Sequence, residues 1–248
     1  MSKAMDHSPD AAAFSAFRQC GPVRHGLPGL AYTSEAFHAL ENQTLFRNNW
    51  VFVGFAHEIA GPGDVRPISV GGQPVLLVRD ANGTVRAFHN VCRHRCLKLV
   101  DEPAHVGKLI QCPYHAWAYG LDGTLKASPF FGGRRSSETE GFDRHEHGLV
   151  PIRCALWHDW IFLNLSGEAP DFIDFAKPLF ERLSDLDLRR LQPLAGLDFG
   201  DIKANWKLLI ENFIEPYHVQ FVHRRTTDQP LRNHYTIVDS PCLGSAVD

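Results

Sequence analysis

Two cysteines and two histidines, arranged as the mixed pairs Cys92-Arg93-His94 and Cys112-Pro113-Tyr114-His115, constrain this chain more than any other feature; seventeen residues separate the pairs. Each short segment offers one sulfur and one imidazole, so each must fold into a loop that turns both side chains the same way. Residues 85–91 read as a strand running into the first loop, and 108–111 as a strand running into the second. The pairs therefore meet at one end of a small sheet. Two occupants suit such a set. Tetrahedral zinc is one, but zinc modules generally pair Cys with Cys at C-x₂₋₄-C and His with His at H-x₃₋₅-H. Mixed pairs favour the other, a [2Fe–2S] cluster with one iron on sulfur and its neighbour on nitrogen, whose imidazoles raise the potential to about −150 to +300 mV. Such a cluster moves electrons and makes no bonds.

The remaining bulk properties narrow the field. With 248 residues, 44% of them hydrophobic, the chain has material for one large or two medium domains. A net charge of −3 gives no basic face for nucleic acid. The first nineteen residues lack the basic-then-apolar order of a secretion signal, and no run reaches the length of a membrane span. Cys20, Cys96, Cys154 and Cys242 show no disulfide framework and read as free thiols of a reducing compartment. The expectation is a soluble, cytoplasmic protein.

Along the chain, three regions are expected. Residues 1–49 are an N-terminal segment with one helix, capped by Ser34 and running to about residue 49. Residues 50–165 are all-β, with strands at 50–55, 68–70, 75–79, 85–90 and 108–111, a hairpin turned at Asp122-Gly123, and a closing hairpin at 152–156 and 160–165. Within this block, 128–148 is Gly-, Ser- and charge-rich and reads as a surface excursion. Residues 166–248 turn helical: 171–183 is short and amphipathic, 194–202 is strand-like, and 204–217 carries an apolar stripe of Trp206, Leu209, Ile210, Phe213, Ile214 and Tyr217 at helical spacing.

That last helix runs into Glu215-Pro216-Tyr217-His218 and on to His223. Five residues on a regular helix leave two side chains roughly 140° apart. Pro216 and a distorted last turn would have to bring the imidazoles together. Glu215, three residues before His218, is placed to orient it through the second ring nitrogen. Alone, the His pair reads more readily as surface histidines. Downstream of a redox cluster, two His plus a carboxylate with open positions is the non-haem Fe(II) arrangement that activates O₂.

From about residue 45 to 223 the chain resembles the Rieske non-haem iron oxygenases, in particular the large (α) subunits of ring-hydroxylating and choline- or carnitine-type enzymes. The resemblance rests on Phe88-His89-Asn90-Val91-Cys92-Arg93-His94-Arg95, on Cys112-Pro113-Tyr114-His115-Ala116-Trp117, on Asn205-Trp206-Lys207, on Glu211-Asn212, and on Glu215-x₂-His218-x₄-His223. It implies an α+β chain: an all-β Rieske [2Fe–2S] domain, then an incomplete helix-grip catalytic domain. Cys92 and Cys112 would bind one cluster iron, His94 and His115 the other, and His218 and His223 a mononuclear Fe(II). Glu215 would bridge a cluster His of a neighbouring subunit to an iron-ligand His of its own, which implies a head-to-tail homotrimer. An NAD(P)H-dependent flavin reductase, with or without a ferredoxin, would supply electrons. O₂ would be used on a small organic substrate, aromatic or quaternary-ammonium. Glu rather than Asp at the bridge is slightly more similar to the choline and carnitine type.

Departures from the family pattern carry expectations too. Gly is usual at the positions of Cys96 and Ala116. The family's third iron ligand is a late carboxylate, whereas only 25 residues follow His223, with Asp228, Asp239 and Asp248 among them. The chain therefore reads as C-terminally truncated. Glu211 as a makeshift third ligand is disfavoured against a surface ion pair with Lys207. Trp117 and Tyr119 are expected to shield the cluster. Arg93 and Arg95 are either solvated charges or a docking face. His89, His145, His147, His158 and His234 are assigned packing or surface roles. The rival function is a non-catalytic Rieske electron carrier, or a cluster-binding remnant.

Overall fold

The computed structural model describes residues 11–19, 21–22, 25–134, 136, 139–194, 200, 202–223, 225, 230–239 and 242–247. The α+β reading is correct, and the chain divides into two compact units, 42–172 and a second formed by 1–41 with 173–248.

The unit of 42–172 is built on antiparallel sheet. Its strands are β1 (Val51–Phe55), β2 (Asp64–Val70), β3 (Gln73–Arg79), β4 (Val85–His89), β5 (Ala104–His105), β6 (Leu109–Gln111), β7 (Ala118–Gly120), β8 (Leu125–Ala127), β9 (Pro151–Trp157) and β10 (Trp160–Asn164). Seven form one sheet in the order β1-β10-β9-β4-β3-β2-β5; β6-β7-β8 form a second. The closing hairpin β9–β10 inserts between β1 and β4. Alternation along β3 explains the layering. Leu76 and Val78 point into a cluster with Phe88, Ile110, Trp117 and Tyr119, while Val75 and Leu77 point the other way, against Ile59, Ile152, Ile161 and Leu163. The two sulfurs, Cys92 and Cys112, belong to the first cluster, so the metal loops close over one face of a doubly buried strand.

The other unit is helical with one hairpin. Its helices are α1 (Ser15–Arg18), α2 (Leu30–Thr33), α3 (Glu35–Glu41), α4 (Phe172–Arg182, whose first residue belongs to the sheet unit), α5 (Trp206–Ile214) and α6 (Val219–Val222). The hairpin pairs β11 (His234–Asp239) with β12 (Cys242–Val247). Ser34 accepts the Phe37 N–H at 3.2 Å, as an N-cap should. The helix it starts continues past Glu41 as a π-helical turn, Asn42–Phe46. The strand expected at 194–202 falls largely outside the described residues. Among the described residues no helix is long and apolar enough to cross a membrane.

Candidate metal centres

The two Cys/His loops share one backbone frame. In the first, Cys92 N donates to Leu97 O at 2.8 Å and Cys96 N to Cys92 O at 3.0 Å; in the second, Cys112 N donates to Trp117 O at 2.7 Å and Ala116 N to Cys112 O at 3.1 Å. The fifth residue of each, Cys96 (φ 57°) and Ala116 (φ 55°), is left-handed, which closes the turn and accounts for the usual glycine there. Asn90 ties the first loop to the sheet. Its Oδ1 accepts from Leu99 N and Val100 N, both at 3.1 Å, and its Nδ2 donates to Val100 O at 2.7 Å.

Cys92 and Cys112 are free and nearly fully buried, with their sulfurs within hydrogen-bonding reach of each other. Burial pushes the Cys112 thiol up, against the pull of backbone N–H groups from Tyr114 and His115. Tyr119 Oη lies 3.2 Å from Cys92 Sγ and accepts the Arg93 N–H at 2.9 Å. At the rim, the His94 and His115 rings meet at 4.7 Å, and His94 stacks on Trp117 at 4.8 Å and 7°. Burial first, then the charges of His115 and Arg95, hold His94 below the usual imidazole range. That shift favours the neutral ring with its lone pair, the form a metal ligand needs. His115 Nδ1 is buried without a hydrogen-bond partner. Two inward sulfurs, two rim imidazoles and one orphaned ring nitrogen fit a [2Fe–2S] cluster.

In the other unit, α5 opens on Asn205, whose side chain accepts the Lys207 N–H at 3.1 Å, and stops at Ile214. Glu215 is extended (φ −101°, ψ 124°), as a residue before proline prefers, and the chain resumes as the single turn α6 with His218 and His223 at its two ends. Across that turn the two rings lie 5.2 Å apart. Glu215 accepts from the His218 ring Nδ1 and, at 3.3 Å, from its backbone N–H. The His218 hydrogen bond holds the Glu215 carboxyl below the usual range. A ring that donates through Nδ1 keeps Nε2 as its free acceptor. Among the described residues no group of three or more His, Cys, Asp or Glu converges to hold a metal ion. A [2Fe–2S] cluster asks the protein for only two ligands per iron, so this bears on the His218–His223 pair alone. Asp228 and Asp248, and the Asp239 side chain, lie outside the described residues.

Several readings change. Lys207 is not in a surface pair with Glu211. It is buried, with Nζ 2.7 Å from Glu41 and the rings of Tyr32, Phe37 and Trp206 around it at 5.1–5.6 Å. Glu211 instead accepts from Tyr32 Oη at 2.7 Å, which pushes that phenol up to about 12. The excursion 128–148 is more than surface: Phe131 and Phe142 pack on Trp117 at 5.2 and 5.7 Å, and the His147 ring lies against Phe142. Tyr119 does more than shield, since its hydroxyl reaches a sulfur.

The Rieske [2Fe–2S] domain family matches residues 49–136, and the catalytic domain of the ring-hydroxylating alpha subunit matches 180–239. The glycine betaine monooxygenase oxygenase subunit of Chromohalobacter salexigens is 36% identical over 200 residues, covering 80% of this chain and 43% of that protein. The large oxygenase component of salicylate 5-hydroxylase from Ralstonia sp. is 34% identical over 209 residues, 79% of this chain and 48% of that one. A crystal structure of the quaternary ammonium Rieske monooxygenase CntA in complex with an inhibitor superposes with a TM-score of 0.74 at 28% identity, over 85% of this chain and 57% of that one. The chain thus spans about half the length of the relatives it matches. With a Rieske domain followed by ring-hydroxylating catalytic sequence, it belongs to the large subunits of the Rieske non-haem iron oxygenases.

Proposed function

We propose that the chain acts within a terminal oxygenase, taking electrons at a Rieske cluster held by Cys92, His94, Cys112 and His115 and delivering them to a mononuclear Fe(II) held by His218 and His223. When bound, the cluster supplies one-electron transfer and the iron supplies O₂ activation. The protein's part is placement. The loops keep the sulfurs dry and the imidazoles at the rim; Glu215 fixes the tautomer of His218. A carboxylate has about four acceptor sites, so the two bonds to His218 leave room for a cluster imidazole of a neighbouring subunit. That is the bridging role proposed for Glu215 in a homotrimer. An NAD(P)H-dependent flavin reductase, directly or through a ferredoxin, is the proposed donor. The proposed substrate is a small quaternary ammonium compound, the class named for the glycine betaine and CntA relatives, with an aromatic acid second.

One observation carries this reading: the single turn α6 holds the His218 and His223 rings 5.2 Å apart, a geometry an electron carrier has no use for. The carrier reading draws support from the lack of a third converging carboxylate among the described residues. Iron and acid-labile sulfide per chain separate the two. Three irons with two sulfides is the expected result, and His218→Ala should return two irons with two sulfides and an unchanged red-brown spectrum. Two irons in the parent protein would favour the carrier; a colourless zinc protein would sink both.

A further inference from the structure

Helix α5 leads directly into the His218–His223 turn, yet its own apolar packing does not set its direction, since Leu208, Leu209, Ile210 and Phe213 are all exposed. Polar contacts from α2 and α3 hold it instead. Asn205 Nδ2 donates to Tyr32 O at 3.1 Å, and Glu211 accepts the Tyr32 hydroxyl at 2.7 Å. The buried contact is a single carboxylate divided between two neighbours. Glu41 Oε1 accepts from Lys207 Nζ at 2.7 Å, and its Oε2 accepts from Trp206 Nε1 at 3.1 Å. Adjacent residues lie about 100° apart around a helix axis. A carboxylate that engages both therefore fixes the rotation of α5 as well as its position.

Resting on the mononuclear-iron reading above, we propose that Glu41 is a positioning residue for the His218–His223 site, acting through Trp206 and Lys207 at the first turn of α5. The nine residues of α5 span about 13 Å, so a tilt of about 5° at the held end moves the far end by roughly 1 Å. Metal–ligand distances have to be met within about 0.2 Å. A small change at Glu41 is thus a large one at the imidazoles. This role is geometric and separate from stability. Two apolar side chains can fill the same buried space without stranding a charge, but apolar contact is non-directional and does not dictate how α5 is rotated.

The test separates the two roles. Fe(II) is titrated anaerobically into the cluster-loaded full chain and into the double variant Glu41→Leu with Lys207→Met, and the melting temperature of each is measured. The double variant should melt close to the parent and keep its acid-labile sulfide. Its affinity for the third iron should nonetheless fall about 10–100-fold, as when a group that orients a ligand is lost. Recovery of both melting temperature and affinity overturns the inference, because the pair then matters for stability alone. If the double variant melts early, Trp206→Phe decides. It keeps the buried ion pair and an aromatic ring and removes one directional contact, so Fe(II) affinity should fall. Folded Trp206→Phe with the parent's affinity overturns the inference while leaving the iron reading intact. A parent chain that carries the cluster and binds no third iron overturns the iron reading, and this inference with it.

Discussion

The cluster loops and the His218–His223 turn face the same task, aiming two ring nitrogens at one place, and the chain meets it in two ways. The loops are closed locally. Each carries its own pair of backbone hydrogen bonds, the residues beneath are buried on both faces of β3, and Asn90 binds the first loop from within ten residues. The His pair instead sits on the single turn that follows a helix break, and α5, the helix before it, is secured at a distance. The apolar stripe of α5 is largely exposed, Phe213 to 76%, whereas its one fully buried residue is Lys207, tied to Glu41 far upstream in sequence. A site closed by its own loop survives changes elsewhere; a site on a tethered helix does not.

The largest expected effect breaks the tether. Glu41→Ala leaves the Lys207 ammonium buried without its carboxylate and removes the acceptor of the Trp206 ring N–H. Breaking a buried pair from one side costs about 3–5 kcal/mol. Replacing both partners together with Leu and Met should recover most of that, because no charge is then stranded. Amide hydrogen exchange checks it: protection should fall across α3 and α5 and stay unchanged across β3, β4 and β7. A uniform loss through both units would dissolve the contrast drawn above.

The converse experiment attacks the local closure. Asn90 is fully buried and is the side-chain acceptor for two loop N–H groups, so Asn90→Ala strands both. At about 1–3 kcal/mol for each orphaned donor, the sheet unit should lose roughly 2–6 kcal/mol. The red-brown absorbance should bleach at lower denaturant concentration, while exchange in α5 stays unmoved. Retention of the parent midpoint would mean that the loop is fixed by its twin backbone bonds alone.

How far the sequence shows this contrast depends on how local the cause is. Period-two alternation and Gly-containing turns mark the strands, and the shared register of β3 and β4 follows from them. Pro216 marks the helix break, because a proline restrains the residue before it wherever it stands. The Lys207–Glu41 tether has no local trace. At the level of a helix face, Lys207 and Glu211 form an ordinary i, i+4 pair, and nothing in that spacing points upstream to Glu41. Phe131 and Phe142 were hidden for a different reason: they sit among glycines, serines and charges, whose composition says surface while two aromatic rings reach back to Trp117. Asn90 lay in plain view within a motif. Its role as the anchor of the loop emerges only once the chain has folded back to bring Leu99 and Val100 beside it.

The smallest effect sharpens the account of the loops themselves. Ala116 holds φ at 55°, where a Cβ costs about 1–2 kcal/mol. Ala116→Gly removes that strain but frees the unfolded chain, which costs roughly 0.4–1 kcal/mol in return. The balance is a gain of about 0–1.6 kcal/mol, read as a small rise in the apoprotein melting temperature. Cys96→Gly, at φ 57° in the companion loop, should give a gain of similar size, since Cys96 is exposed and loses no packing. Gains in both would mean that the left-handed turn is the shared strained element of a repeated frame. A gain in one and a loss in the other would mean that the two loops, alike in their hydrogen bonds, are stabilised by different means.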